Sequence, residues 1–328
     1  MTGRIAPGEP ATATDAAGDG SPDRLALSVI VTLVGGPPFL ARTLDRLVPQ
    51  ILGRPLEVLV PCDSTVTNLE PVRRRFPAVR FLDMGRVVTD ARPGTEGAAH
   101  ETFDRRTAAG LCASRGDIVA LLQDYGAPAP DWCEQVIAAH RLPAGVIGGG
   151  VEHEGGGPLN WAVYFLDFGR YQGPLREGPS RYLTDVNVSY KRAALERVRG
   201  LWRERYKEVT VNWALERLGV VLWQRPQMVV YQRRGPLAWR PLLVERFCWG
   251  RLFGALRVAG MPRCRRIGYA LGSPLIPLLL LARMTRTVVT TRRNRLVFLR
   301  VCPQLLIITI GWCTGEFIGY LTARAAPE

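Results

Sequence analysis

Residues 206–226 read Y-K-E-V-T-V-N-W-A-L-E-R-L-G-V-V-L-W-Q-R-P, a carboxylate followed by an amphipathic run, a glycine and a β-patterned restart. Val211, Ala214, Leu215 and Leu218 recur at helical spacing, and Gly219 stands where such a helix would stop. Residues 220–223 then predict a strand that ends at Pro226. Glu208 therefore sits just before a helix begins. A carboxylate fixed there and facing a cleft can act as a general base, although the helix dipole would lower its pKa and weaken its basicity. Acidic residues are common in first turns, so a plain helix-start Glu also fits the spacing.

The elements upstream must position such a group. Residues 25–33 (L-A-L-S-V-I-V-T-L) form a continuous apolar run rich in β-branched side chains, as a buried parallel strand requires. Residues 38–52 carry helical spacing, 56–60 (L-E-V-L-V) form a second strand running into P-C-D-S-T, and 79–82 a short third. A helix over 102–115 is closed by Gly116, and a buried strand over 117–122 ends at Q-D-Y-G-A-P. This alternation predicts an α/β fold with a doubly wound sheet, whose ligands bind beyond the carboxyl ends of the strands. Asp63 and Asp124 stand at two such ends. Further on, the pattern predicts a helix at 131–140, a strand at 145–151, an irregular glycine-rich stretch, and a loop and helix over 184–198.

At 328 residues and 47% apolar content, the chain can build one large domain or a medium domain with an appendage. Residues 1–24 hold no apolar run and predict a disordered tail instead of a secretory signal, which would leave the chain in the cytoplasm. Seven scattered cysteines with no C-x-x-C pair argue against a disulfide framework and against a zinc site. His100, His140 and His153 form no ligand spacing, and His140 at a helix end reads as solvent-exposed.

Residues 231–300 contain fifteen Arg, no Lys and one acid, Glu245, so this segment carries a net +14, the value for the whole chain. The arginines alternate with apolar stretches at 267–282 and 296–321. That interleaving suits an anionic membrane surface better than a nucleic-acid groove. The first stretch, about 24 Å long as a helix, is short for a hydrocarbon core of about 30 Å. It also contains Pro274 and Pro277, while the second stretch carries Pro303 and Glu316. A tight helical hairpin, spanning or re-entrant, is expected, forming a membrane module that begins near Arg240. The positive-inside rule would keep the arginine-rich connection cytoplasmic.

The order of these pieces resembles family 2 glycosyltransferases of the GT-A fold, a doubly wound mixed sheet, over roughly residues 26–260. S-V-I-V-T at 28–32 looks like the family's first strand, whose end, Thr32, contacts the nucleotide. Asp63 in P-C-D-S-T takes the place of the aspartate that holds the base. The run from Arg106 to Asp117 resembles the family's A-R-N-x-G-L-x-x-A-x-G-D helix, with the family's arginine falling at Thr107, so Arg105 or Arg106 would supply the basic contact. The family's metal-binding D-x-D is Gln123-Asp124-Tyr125 here, which leaves Asp124 as the one carboxylate for Mg²⁺ or Mn²⁺. The family's E-D-x-x-L-x-x-R-L-x-x-x-G, laid with its glycine on Gly219, puts its general base on Glu208.

Glu245-Arg-Phe-Cys-Trp-Gly-Arg251 partly resembles the Q-R-x-R-W segment of processive members. It retains Arg246 and Trp249, for the diphosphate and an acceptor sugar, and fits an interfacial membrane anchor as well. Asp185 and Asn187 lie where members carry an acceptor-side loop, and Asp185 rivals Glu208 as the base. The resemblance implies a membrane-associated, inverting transferase with a cytoplasmic catalytic domain (25–240) and C-terminal membrane helices (241–328). Its partners would be a nucleotide-sugar donor and a lipid-linked or glycan acceptor in cell-surface polysaccharide synthesis, with no nucleic acid. A non-catalytic membrane scaffold of the same fold is the alternative.

Overall fold

The structure is a computed structural model, and it describes residues 25–325; the tail expected over 1–24 lies outside them. The first half follows the predicted alternation. β1 (Leu27–Thr32), α1 (Pro37–Ile51), β2 (Leu56–Cys62), α2 (Glu70–Arg75), β3 (Arg80–Asp83), α3 (Glu96–Ala113) and β4 (Ile118–Gln123) come in that order. β1 is buried at every position and pairs in parallel with β2 and β4. β5 (Gly126–Pro128), α4 (Trp132–Ala139), β6 (Val146–His153) and α5 (Pro158–Asp167) follow, then a 3₁₀ turn at Gly169–Tyr171 and the short β7 (Gly178–Pro179). Next are β8 (Asn187–Lys191), α6 (Arg192–Glu196), α7 (Arg199–Trp202), α8 (Glu208–Arg217) and β9 (Leu222–Gln232). The chain closes with α9 (Trp239–Arg257), α10 (Arg263–Gly272), α11 (Ile276–Thr291) and α12 (Arg295–Thr322).

The nine-stranded sheet runs β3-β2-β1-β4-β8-β6-β9-β5, with β7 against β9. It is mixed because β8 lies antiparallel between β4 and β6. Three expectations are corrected here. The stretch read as loop and helix over 184–198 begins with this central strand, N-V-S-Y-K, whose short alternation is masked by its polar residues. The irregular glycine-rich stretch contains α5, whose Ala162, Val163, Tyr164 and Phe165 are buried. The strand expected to end at Pro226 continues to Gln232, because the register against β6 jumps from Arg225 to Val229 and lifts the proline out of the ladder.

The C-terminal helices share a core with the sheet domain. Leu305 and Ile308 of α12 and Met284 and Val288 of α11 pack with Val163, Phe165 and Tyr171, so the boundary expected near residue 240 cuts through one hydrophobic cluster. α10, a 3₁₀ turn at Ser273–Leu275 and α11 run as one helical segment of 29 residues, Arg263–Thr291, antiparallel to the 28-residue α12. Both are long and apolar enough to cross a membrane. Pro274 and Pro277 do not interrupt the first, since they sit in the 3₁₀ turn and at the start of α11, where a missing N–H costs little. Leu271, Leu278, Leu296 and Leu299 are exposed.

α9 and α12 touch backbone to backbone through Gly250-x-x-x-Gly254 and Gly311-x-x-x-Gly315-x-x-x-Gly319, a small-residue seam of the kind that lets apolar helices approach closely. A Cβ on Gly250 would lie 2.0 Å from the Trp312 carbonyl, and one on Gly315 2.1 Å from that of Phe247. Gly315→Val must separate the helices, so it is expected to destabilise the fold by about 1–3 kcal/mol or more. Gly268→Ala, where a Cβ meets open space, is expected to do nothing comparable. Thermal unfolding in detergent reads the difference.

Candidate active site

A cleft of ≈ 1710 Å³ opens beyond the carboxyl ends of β1, β2 and β4 and extends to the C-terminal helices. Glu208, Asp185, Arg106, Arg246 and Trp249 all border it. Thr32, Asp63, Asp124, Arg105 and Asn187 do not line it.

Glu208 opens α8, and Lys207 is the cap residue. Val211 and Leu215 anchor the helix in the core, Leu218 turns out to solvent, and Gly219 ends it at φ +77°. Asn212, one turn on, donates from Nδ2 to Glu208 Oε1 at 2.7 Å. Its Oδ1 accepts from the Tyr190 hydroxyl at 2.9 Å, and Tyr190 and Tyr206 are joined at 2.6 Å. The amide orientation is therefore fixed from behind, and the Glu208 carboxylate is held toward the cleft. Burial, and then the charge of neighbouring Asp185, raise the Glu208 pKa. The expectation that the helix dipole would lower it is overturned, because the enclosure and the second carboxylate outweigh a dipole effect of about 1 kcal/mol. Burial raises Asp185 too, against the Gln123 amide at 3.4 Å and local backbone N–H groups. Two adjoining carboxylates with raised pKa values form a proton-accepting pair at the cleft wall.

Asp124 does not join them. Its Oδ1 accepts from the backbone N–H of Val34 and Gly35, both at 3.0 Å, and its Oδ2 from Gly35 at 2.9 Å and Gly36 at 2.8 Å. The residue is fully buried and borders no part of the cleft. Consecutive N–H groups leading into α1 are a natural anion nest, and here the anion is the protein's own carboxylate. Gln123 stands on one side and Tyr125 packs edge-on against Phe39 on the other. Among the described residues no group of three metal-ligating His, Cys, Asp or Glu occurs. With its carboxylate taken up by these backbone donors and no oxygen facing the cleft, Asp124 does not fit Mg²⁺ or Mn²⁺ in this arrangement; the residue expected at a metal stands as a backbone support.

Asp63 is also a support. Its Oδ1 accepts from Thr65 N at 2.8 Å and Thr65 Oγ1 at 2.6 Å, and Arg106 pairs with it through Nε and Nη2, each at 3.2 Å. Burial alone would raise its pKa, but the Thr65 and Arg106 bonds hold it below the usual carboxylate value. What faces the cleft is Thr65 and the edge of Arg106, which also donates to the Leu33 carbonyl at 2.8 Å. Of the two expected arginines, Arg106 is at the cleft, whereas Arg105 is turned back onto Glu101 at 3.0 Å. The Thr32 hydroxyl is buried, meets Thr107 at 3.0 Å and does not border the cleft.

Arg246 borders the cleft but is engaged on both sides, by Asp167 at 2.6 Å and Glu245 at 2.7 Å. It reads as a bolt between α9 and α5, not as a diphosphate clamp. Trp249 stacks on His100 with centroids 3.9 Å apart. Burial keeps that imidazole neutral, its pKa lowered to about 4. Asn187 is wholly internal, accepting from the Trp132 indole and donating to the carbonyls of Gly150 and Met228 at the β9 bulge. His140 is buried against Ser189 at 2.8 Å instead of exposed.

Sequence reasoning missed Asn212, Gln123, Arg170 and Arg283. Asn212 had a signal, lying four residues after Glu208 on a predicted helix. Arg170 and Arg283 are 113 positions apart in the sequence and come to one cleft only in the fold.

None of the protein-family models matches the sequence, nor does any curated protein. Solved structures do. S. aureus TarS 1–349 in complex with UDP-GlcNAc aligns at TM-score 0.48 and 13% identity over 91% of this chain and 90% of its own. Glucosyl-3-phosphoglycerate synthase from Mycobacterium tuberculosis aligns at TM-score 0.47 and 16% identity over 73% of this chain and 80% of its own. A mannosyltransferase from *Pyrobaculum calidifontis*, solved with GDP-Man and Mn²⁺, aligns at TM-score 0.54 and 15% identity over 89% of this chain and 87% of its own. The chain thus has a mixed α/β sheet in the GT-A arrangement, as that glycosyltransferase does, and carries two apolar C-terminal helices.

Proposed function

We propose that this protein is an inverting glycosyltransferase that moves a sugar from a nucleotide-diphosphate donor to a lipid-linked or membrane-proximal acceptor, in the building of cell-surface polysaccharide. The observation that carries the reading is the oriented Glu208 carboxylate, beside Asp185, in the wall of a cleft beyond the strand ends. Glu208 takes the proton of an acceptor hydroxyl as its oxygen bonds to the anomeric carbon. The bond from that carbon to the diphosphate oxygen breaks with its electron pair, and the nucleotide diphosphate leaves. Arg106, held by Asp63, presents positive charge to the donor side. No step is assigned to a metal. The exposed leucines of α11 and α12 and the arginines around them support attachment to an anionic, cytoplasm-facing membrane surface.

The base must be ionised, and its pKa is raised, so kcat/KM is expected to climb as pH rises above the ordinary glutamate value of 4.5 and on toward neutrality. The stability effect has the opposite sign. A carboxyl whose folded pKa lies above its unfolded value stabilises the fold while protonated, and that contribution is lost as pH rises. A pH–rate profile beside a pH–Tm series for wild type and Glu208→Gln checks both slopes; a rate flat from pH 5 to 8 contradicts the assignment.

A second reading is favoured by Asp124 and Arg246, both engaged internally where the family would use them on the donor. It is a membrane scaffold that binds a nucleotide sugar without turning it over.

A further inference from the structure

We propose that the cleft contains a lipid-phosphate site, in which Arg170 and Arg283 hold the phosphate of a membrane amphiphile and an apolar arm between α9 and α11 holds its chain. The inference deepens the transferase reading and rests on it for the purpose of the bound lipid, which is to bring the acceptor to Glu208.

Arg170 lies in the 3₁₀ turn on which α11 packs, and its guanidinium sits 4.4 Å over the Tyr182 ring. Arg283 borders the same cleft from α11, the helix that packs on the turn carrying Arg170, and after burial the Arg170 charge helps to lower its pKa. Four other arginines of this region are matched by carboxylates: Arg225 by Glu177, Arg234 and Arg246 by Glu245, and Arg293 by Glu152. Among the described residues neither Arg170 nor Arg283 forms an ion pair with a carboxylate. Glu208 feels Arg170 only as a minor influence after burial, Asp185 and Asn212. Two guanidinium groups that face one cleft from packed elements, neither in an ion pair, can take an anion, and a phosphate meets their planar forks better than a single carboxylate can.

The wall beside them identifies the rest of the ligand. Leu279 and Leu280 precede Arg283 by one helical turn and share its face, and with Ile276 they border the cleft opposite Leu252, Phe253 and Leu256 of α9. Leu279 is 65% exposed. A nucleotide diphosphate has no use for such an arm, and the polar wall of Thr65, Thr89 and Thr95 lies among other cleft residues suited to it. An amphiphile satisfies both halves, its phosphate at the arginines and its chain along α11 toward the outward-facing Leu275 and Leu278. The phosphate is an anchor and takes no part in bond making; the attacking atom remains an acceptor hydroxyl.

The test titrates full-length protein in neutral maltoside detergent with hexadecyl phosphate, hexadecanol, inorganic phosphate, UDP and GDP, reading affinity by native mass spectrometry without any sugar donor. Wild type is expected to bind hexadecyl phosphate and not hexadecanol or inorganic phosphate at the same concentrations. Arg170→Gln and Arg283→Gln should each weaken that binding about tenfold or more, while Arg286→Gln, an exposed arginine on the same helix, should leave it unchanged. Unchanged Tm values establish that the variants are folded. Equal binding by the Arg283→Gln and Arg286→Gln variants, or equal affinity for hexadecanol, overturns the site. So does loss of UDP or GDP affinity with hexadecyl phosphate binding intact, which would give the arginines to the donor. Because no turnover is read, lipid-phosphate binding survives if the transferase reading fails. Conversely, sugar transfer without hexadecyl phosphate binding sinks this inference alone.

Discussion

Glu208→Gln is expected to lower sugar transfer by about 10²–10⁴-fold while leaving nucleotide affinity and the fold in place. The substitution keeps the size of the side chain and an oxygen to accept the Asn212 Nδ2–H bond, but removes the ability to take a proton. Asp185→Asn tests the rival assignment. If Asp185 acts by its charge on Glu208, its removal eases ionisation of Glu208, so the activity profile moves toward lower pH with the maximum rate little changed. If Asp185 is itself the base, the rate collapses as it does for Glu208→Gln. Initial rates across pH for the two variants separate these outcomes. Asn212→Ala gives an independent reading, because it frees the carboxylate to rotate and should reduce kcat while the group can still ionise.

The second large effect is at Asp124, and it is structural. Removing the carboxylate in Asp124→Ala leaves the N–H groups of Val34, Gly35 and Gly36 without their acceptor at the entry to α1. The fold should lose about 2–4 kcal/mol, a substantial part of the stability of a typical domain. Pro37 and Pro38 supply no N–H of their own, so the turn depends on those three donors. A metal ligand behaves differently. Its loss would spare Tm and abolish Mn²⁺-dependent tightening of nucleotide binding. Calorimetric titration of UDP and GDP with Mn²⁺ and with EDTA, beside thermal unfolding of Asp124→Ala and Asp124→Asn, tells the two apart. The geometry predicts lowered Tm in the variants and wild-type nucleotide affinity indifferent to the cation.

Glu208 was legible because everything that places it is local: a helix start, an apolar face at Val211 and Leu215, and a glycine stop. The parallel strands of the first half were legible for the same reason, being short, continuous apolar runs. Asp124 was misread because position at a strand end does not reveal a partner, and the donors that claim it lie 88 to 90 residues upstream. Asn187 and Asp63 failed likewise, their polar atoms being consumed by a β-bulge and by Arg106. β8 escaped because a central strand carrying Asn, Ser and Lys has too little apolar contrast to register by pattern. Pro226 was treated as a strand end, which is its usual meaning, whereas the bulge against Gly149 and Gly150 accommodates it. The glycine repeats of α9 and α12 stood in plain view at a spacing of four, yet their meaning needs two helices in contact.

The central claim is that this cleft transfers a sugar with Glu208 as base. Its most direct test incubates detergent-solubilised protein with UDP-, GDP- and dTDP-sugars and a membrane lipid extract as acceptor, scoring glycolipid product and the configuration at its anomeric carbon. The predicted result is an inverted product from at least one donor, absent with Glu208→Gln protein of unchanged Tm and nucleotide affinity. Product formation that persists in that variant, or a donor that binds wild type and is never turned over with any acceptor fraction, contradicts it.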